Sequence, residues 1–343
     1  MTPAAKNREL SQPSAGERFA HALTLVPEIV AVEERIRSAF KSDVAIMREI
    51  PDYLLSIGGK RIRPILALLC SKALGAQEIT DDIIDISAGI ELIHMATLMH
   101  DDIIDQSPTR RHKPSAYAKY GLPGTLLSGD FLLTRAFGLC SRLDREIIEA
   151  TEQACIELVE GETLEIAVPL GEHTQASSLT IATRKTASLF RLAAFCGASL
   201  TDSPDSVKEA MSKFGESLGI AFQIIDDILD VTSDEATLGK RPGIDIAERK
   251  PSLINVLWLE SGDPAAKRLL LPADPQTERE FVDISLGKLR SSDILQKAKD
   301  TARYHADVAS KSLTEALGGD LHNLPPEGEA LFSVIDFALE RVL

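Results

Sequence analysis

Asp81-Asp-Ile-Ile-Asp-Ile-Ser-Ala-Gly-Ile-Glu-Leu-Ile-His94-Met-Ala-Thr-Leu-Met-His-Asp101-Asp-Ile-Ile-Asp105 is the stretch on which the fold turns. Its apolar residues recur at three- and four-residue intervals without a proline, which predicts one long helix over Asp81–Ile104. The same five letters, Asp-Asp-Ile-Ile-Asp, stand at both ends. Twenty residues of helix separate the copies, about 30 Å along the axis and roughly 200° around it, so they cannot serve one site. The first copy follows Thr80 at the helix start, where a threonine cap and first-turn acids complement the dipole; it reads as capping. The second copy closes the helix and is followed by Arg110-Arg111-His112-Lys113. Residues four apart on a helix are offset by about 40°, so Asp101 and Asp105 share a face with Asp102 beside it.

Outward from this segment the helical spacing recurs. It predicts helices over Arg18–Phe40, Asp43–Ile57, Ile65–Leu74, Gly129–Arg142, Glu146–Ala167, Ser178–Ser199 and Ser206–Val231. It continues over Pro251–Leu259, Ala265–Leu270, Glu278–Leu289, Asp293–Leu317 and Gly328–Arg341. Gly58-Gly59, Gly121–Gly124, Gly171 and Gly318-Gly319 punctuate the chain, and no alternating run bounded by a tight turn announces a hairpin. The expected architecture is therefore all-α, with a flexible N-terminal arm over residues 1–17 and a single domain over residues 18–343.

Composition narrows the function. The formal net charge is −15, which opposes general binding to nucleic acid or to an anionic membrane but allows a local basic pocket. No uninterrupted apolar run approaches the roughly 20 residues of a transmembrane span, so no stable membrane insertion is expected. Residues 1–17 are polar and carry no signal-peptide pattern. Cys70, Cys140, Cys155 and Cys196 are far apart among apolar neighbours, which reads as free thiols in a reducing compartment, the cytoplasm.

A second acid triplet lies at Phe222-Gln223-Ile-Ile-Asp226-Asp227-Ile-Leu-Asp230. Both late triplets sit inside otherwise apolar helices, where stacked, unpaired carboxylates would cost several kcal/mol or more each. Hard divalent cations relieve that repulsion, and Mg²⁺ takes one or two carboxylates plus water and phosphate oxygens. Cations complete the pattern: Gly58-Gly59-Lys60-Arg61-Ile-Arg63-Pro64, Arg110-Arg111, Lys185-Thr186 and Lys240-Arg241. In so acidic a protein, basic clusters flanking acid triplets point to a polyanionic ligand bridged by metal and gripped by arginine.

Taken in order, Gly58–Pro64, His94 with Asp101–Asp105 and Arg110-Arg111, Gly129-Asp130, Lys185-Thr186-Ala187, and Phe222–Asp230 with Leu238-Gly239-Lys240 resemble the motifs of trans-isoprenyl diphosphate synthases. The resemblance runs from about residue 45 to residue 256. It implies a bundle of ten or more helices around a deep cavity, a homodimer as its usual state, and a cluster of about three Mg²⁺ ions. It implies that Lys60, Arg63, His94 and Arg111 hold isopentenyl diphosphate. Asp101, Asp105 and Asp226 would hold metal on the allylic diphosphate, supported by Asp102, Asp227 and Asp230. Arg110, Lys185 and Lys240 would grip the same diphosphate, Thr186 and Gln223 would face the allylic carbon, and Glu165 would stand near the metals.

The chain departs from the family pattern at three places. Arg249 precedes Lys250 where glycine is usual, Ser252-Leu-Ile-Asn255 replaces Thr-Leu-Pro, and His112 stands where glycine is common.

The implied reaction condenses isopentenyl diphosphate head-to-tail onto an allylic diphosphate. Small residues, Thr97 and Ala96, lie one turn below Asp101, where a bulky aromatic stops growth in the family. The helix from Asp101 back to Asp81 offers about 30 Å of wall, so an all-trans product of about C30–C50, with C40 as the central value, is expected. A C20 geranylgeranyl product is the alternative. A class I terpene cyclase is a weaker rival, since it needs no second diphosphate pocket. A non-catalytic partner subunit would be expected to lose aspartates, and a di-iron protein would need two Glu-x-x-His turns where only Glu91-Leu-Ile-His94 is found.

Overall fold

The computed structural model describes residues 15–234 and 241–340. Its helices are α1 (Ala15–Thr24), α2 (Ile29–Ala39), α3 (Ile46–Ser56), α4 (Ile62–Ala73), α5 (Asp81–Ile104), α6 (Ala116–Cys140), α7 (Arg145–Ala167) and α8 (Gln175–Ile181). After a π-helical segment at Ala182–Ala187 come α9 (Ser188–Ser199), α10 (Asp205–Thr232), α11 (Ile244–Ala247), α12 (Leu253–Glu260), α13 (Glu278–Arg290), α14 (Ile294–Ala316) and α15 (Pro326–Glu340).

Helix α5 has the bounds its periodicity predicts and packs against α2, α4, α6 and α9. By length and composition it could cross a membrane, but its neighbours bury most of it, including Ile83, Ile86, Ile90, Leu92 and Ile93. Each such side chain contributes about 1.5–3 kcal/mol through removal from water. Helix α10 is the second pillar, packed on α9, α14 and the π segment. Two glycines permit the close approach that this needs. A Cβ at Gly161 would come within 2.7 Å of the Lys185 backbone nitrogen, and one at Gly219 within 2.5 Å of Ala187 Cα. Helices α7 and α10 can therefore both press against the segment that carries Lys185 and Thr186.

Several expected boundaries change. The single helix expected over Arg18–Phe40 is two, α1 and α2, because Pro27 lies between them and proline lacks the amide that would continue the helix. The expected arm is helical from Ala15 onward, and Arg18 binds Asp336 and Glu340 on α15 at 3.1 and 3.2 Å. Residues 1–14 lie outside the described residues. Gly121–Gly124 does not end a helix. Gly121 takes φ 76° and bends α6 there, and Pro123 occupies the first turn beyond the bend. The expected helix Ser178–Ser199 is interrupted by the π segment. A hairpin that the sequence did not announce joins α5 to α6: β1 (Thr109–Arg110) pairs with β2 (Lys113–Pro114). Its two loop residues, Arg111 and His112, have φ 50° and 63°, the left-handed pair that a tight two-residue hairpin requires. That conformation is the one glycine would adopt freely at His112.

Candidate active site

The ends of α5 and α10 open onto one cavity of about 920 Å³. Asp101 and Asp105 border it from α5, and Asp226, Asp227 and Asp230 from α10. Arg110 and Arg111 reach it from the hairpin, Lys185 from the π segment and Lys250 from the loop after α11. The π segment inserts its extra residue at this point, a distortion that often marks functional sites in helices.

Each aspartate has its own surroundings. Asp102 is fully buried behind the cavity wall, where Arg110 grips its Oδ1 through Nε at 3.0 Å and Nη2 at 2.7 Å. Its Oδ2 has no hydrogen-bond partner among the described residues. Asp105 pairs with Lys250 at 3.0 Å. Burial pushes the Asp101 carboxyl up to about 7, with Lys185 opposing the shift and Glu162 and Asp105 adding to it. Burial likewise raises Asp227 to about 7, although it accepts hydrogen bonds from the Gln223 amide at 2.8 Å and from the Leu253 backbone. Asp230 accepts the Asp245 amide through Oδ2 at 3.1 Å, tying α10 to α11 just ahead of the loop that carries Lys250.

Lys185 stands between Glu162 at 2.5 Å and Glu165 at 2.8 Å. Burial works against its charge, but Glu165, Asp101 and Glu162 outweigh that and raise its pKa. The Thr186 hydroxyl donates to Gln223 Oε1 at 2.6 Å, so Thr186, Gln223 and Asp227 form one hydrogen-bonded chain along the wall.

Beside this cavity is a second cationic cluster. Arg61 pairs with Glu91 at 3.2 Å and Glu33 at 3.3 Å. Arg63 lies over the Phe190 ring at 4.8 Å, and its Nε has no hydrogen-bond partner among the described residues. Arg111 donates to the Gly58 carbonyl. Burial drives the His94 pKa well down, reinforced by Arg63, Arg110, Arg111 and Arg61, so the imidazole is neutral. Burial raises Glu91 even against Arg61, Arg63 and Arg111. Among the described residues Arg63 and Arg111 have no carboxylate within ion-pair distance, which suits a polyanion.

Some expected residues lie elsewhere. Lys60 is exposed, with its ammonium 4.7 Å from the Phe337 ring on α15. Ala96 is fully buried, and the Thr97 hydroxyl donates to the His94 carbonyl. Neither borders the cavity; the wall one turn before Asp101 is Leu98. Lys240 lies outside the described residues. Thr80 begins α5 as expected, but its side chain caps nothing. Asp81 and Asp85 bind Arg35 of α2 instead, Asp81 at 2.8 Å.

The polyprenyl synthetase family model matches residues 44–282. The octaprenyl diphosphate synthase of Escherichia coli is 33% identical over 319 residues, 92% of this chain and 96% of that one. The chain belongs to the polyprenyl synthetase family. This synthetase is also 33% identical over 325 residues to the geranylgeranyl diphosphate synthase of Sulfolobus acidocaldarius, covering 92% of this chain and 97% of the relative. Its fold superposes on a polyprenyl synthase from Caulobacter crescentus, crystallised with calcium and isoprenyl diphosphate. The TM-score is 0.85 at 31% identity, over 95% and 98% of the two chains. It is a prenyltransferase of isoprenoid biosynthesis, and its all-α fold is the one the motifs imply.

Backbone strain in this synthetase gathers at the site. Among the described residues, the non-glycine positions with positive φ are Arg61, Gln106, Arg111, His112 and Arg249. All lie in the loops that follow α3, α5 and α11, where left-handed backbone is held by surrounding contacts. Three contributors went unassigned in the sequence. Arg61 sat among better-marked neighbours, Glu91 was read only as half of a metal turn, and Lys250 lies twenty residues beyond the second triplet.

Proposed function

We propose that this prenyltransferase condenses isopentenyl diphosphate head-to-tail onto an allylic diphosphate and makes a long all-trans polyprenyl diphosphate. The observation that carries this reading is the meeting of two aspartate-bearing helices and a lysine- and arginine-lined wall at one cavity, beside a separate arginine cluster. The residues fit divalent metal. Burial holds the Asp101 and Asp227 carboxyls above their ordinary range despite the cations near them, so their charge is only partly matched. Among the described residues no three His, Cys, Asp or Glu side chains form a metal site by themselves. That suits Mg²⁺ held by one or two carboxylates each, with diphosphate oxygens as the remaining ligands.

Asp101, Asp105 and Asp226 would hold about three Mg²⁺ ions, and that metal would neutralise the leaving diphosphate. Asp102 fixes Arg110 from behind, while Asp227 and Asp230 brace the loop that closes the site. Lys185, with Arg110 and Lys240, would grip the allylic diphosphate as its C–O bond breaks and the electron pair leaves with it. Thr186 and Gln223, which border the same cavity, would face the resulting allylic cation with their oxygens. Lys60, Arg63, His94 and Arg111 would hold isopentenyl diphosphate so that its double bond attacks that carbon. The proton then lost would pass to the departed diphosphate, so no side-chain nucleophile is needed.

The product is about C30–C50, with C40 the central value, on the strength of the roughly 30 Å of α5 that lies below Asp101, where Leu98 and not Ala96 or Thr97 borders the cavity. The likeness to the Escherichia coli enzyme supports C40, and the likeness to the Sulfolobus acidocaldarius enzyme supports the C20 alternative. A homodimer suits the apolar side chains left exposed on α6 (Leu122, Leu126, Leu127) and on α7 (Ile156, Val159, Ile166). We place the protein in the cytoplasm, in keeping with its free cysteines, as one domain over residues 18–343.

Incorporation of radiolabelled isopentenyl diphosphate with C10, C15 and C20 primers, with Mg²⁺ or with chelator, tests the reading. Metal-dependent elongation to C30–C50 supports it; a product of C20 or shorter selects the alternative. No incorporation with any primer refutes it. Leu98→Phe, at the position that borders the cavity one turn before Asp101, should shift product towards C15–C20 while the first condensation persists.

A further inference from the structure

Arg249 and Asn255 converge on one short turn. That turn, between α11 and α12, carries Lys250, whose ammonium lies 3.0 Å from Asp105 and 3.0 Å from Glu248.

Arg249 has φ 59°, a left-handed conformation that glycine adopts freely and other residues adopt only at a cost. Its side chain is placed to hold that conformation. Nη1 donates to the Ile246 carbonyl at 2.7 Å and the Ala247 carbonyl at 3.1 Å. The same nitrogen and Nη2 form a fork on Glu278 of α13, at 2.6 and 3.0 Å. Nε donates to the Leu271 carbonyl at 3.3 Å, and the guanidinium lies over the Phe281 ring, which is itself stacked on Trp258. From the other side, the buried Asn255 amide donates to the Asp245 and Lys250 carbonyls, each at 2.9 Å. The Lys250 amide donates to the Asp245 carbonyl at 2.9 Å, closing the turn.

We propose that Arg249 and Asn255 are positioning residues that clamp this turn from opposite sides and hold the Lys250 ammonium at Asp105, at the mouth of the allylic diphosphate site. A glycine at 249 would adopt the same backbone without strain, but it would leave the turn untethered to α13. The arginine thus exchanges conformational ease for a fixed lysine. The inference rests on the reading of Asp105 as part of the metal and diphosphate site, and it goes beyond that reading by adding residues that touch neither ligand.

The test compares wild type, Arg249→Ala, Arg249→Gly, Asn255→Ala, Lys250→Ala and the double variant Arg249→Ala/Lys250→Ala. Steady-state kinetics are read beside calorimetric binding of inorganic pyrophosphate in the presence of Mg²⁺. Lys250→Ala should weaken pyrophosphate binding and raise the allylic KM about tenfold, the loss of one charge-assisted contact. Arg249→Ala, Arg249→Gly and Asn255→Ala should each give about three- to tenfold in the same direction, with the KM for isopentenyl diphosphate changed less than twofold. On the Lys250→Ala background, Arg249→Ala should add less than twofold, because its effect runs through the lysine. Glu278→Gln loosens the same clamp without touching the turn and serves if Arg249→Ala does not fold. Equal effects of Arg249→Ala with and without Lys250 overturn the proposal, as does a loss of thermal stability with unchanged pyrophosphate affinity. If wild type binds pyrophosphate but incorporates no isopentenyl diphosphate, the proposed reaction fails while the positioning role is still decided by calorimetry.

Discussion

Asp81–Asp85 and Asp101–Asp105 have identical sequences on the same helix, yet the structure gives them opposite tasks. At the N-terminal end, Asp85 is buried and held with Asp81 by one arginine from α2. Arg35 supplies a built-in countercharge there, and the contact fastens two helices. At the C-terminal end, Asp101, Asp105 and three more aspartates from α10 border one cavity. Lys185 and Lys250 offset part of that charge, and burial still holds Asp101 near 7. Identical local chemistry is thus structural where its countercharge is built in. It is poised for a ligand where the countercharge falls short.

The strongest way to break this contrast is to remove one carboxylate from each end. Asp101→Ala or Asp226→Ala should lower turnover by about 10²–10³-fold or more, since each removes stabilisation aimed at the developing diphosphate charge. Asp81→Ala should leave turnover within twofold, and a comparable loss there in the same incorporation assay would refute the division of roles.

The structural end should answer to stability instead. Arg35→Ala strands the buried Asp85 charge and should reduce unfolding free energy by about 3 kcal/mol, read from the denaturant midpoint. The substrate KM values should not move.

The pH dependence sharpens the contrast further. Asp101 titrates near 7 when folded and near 3.9 in an unfolded chain, so its folded form favours the proton. In metal-free protein its stabilising contribution is complete below about pH 4 and is lost as pH rises towards 7. Metal must displace that proton, so half-saturating Mg²⁺ should rise about tenfold between pH 8 and pH 6. Asp101→Asn should flatten the melting profile across the same range, and a wild-type profile that is already flat would contradict the raised value.

The smallest expected effect lies at the helix start. Thr80→Ala should cost less than about 0.5 kcal/mol, because the Thr80 side chain makes no capping bond. Ser115→Ala, which removes a cap that accepts the Ala118 amide at 3.0 Å, should cost about 1 kcal/mol in the same thermal unfolding experiment.

The helices were legible wherever apolar periodicity ran unbroken, as in α5, α7 and α10, because burial of one face is written directly into residue spacing. The breaks were less legible. The π segment at Ala182–Ala187 has ordinary helix formers, and the close approach of α7 and α10 to it at Gly161 and Gly219 shows only in three dimensions. The hairpin at Thr109–Pro114 is too short to alternate, and its loop residues, Arg111 and His112, carry none of the glycine or asparagine that marks such turns.

In the site, the motif aspartates and cations stood out because repeated acids inside apolar helices demand a partner. Arg61, Glu91 and Lys250 did not, since a single charged residue in a loop has no period and shows its partner only in three dimensions.

The sequence alone therefore determined the helical class, the helices that carry acid triplets and the ligand chemistry those triplets require. These follow from periodicity and charge, which are local. Only the tertiary structure decided that the first Asp-Asp-Ile-Ile-Asp run is held by Arg35 and not by a Thr80 cap, that Arg110 is held by Asp102 from behind, and that Lys250 reaches Asp105 across 145 residues of chain. An ion pair depends on the distance between its members in space, and sequence separation says nothing about that distance until the helices have packed.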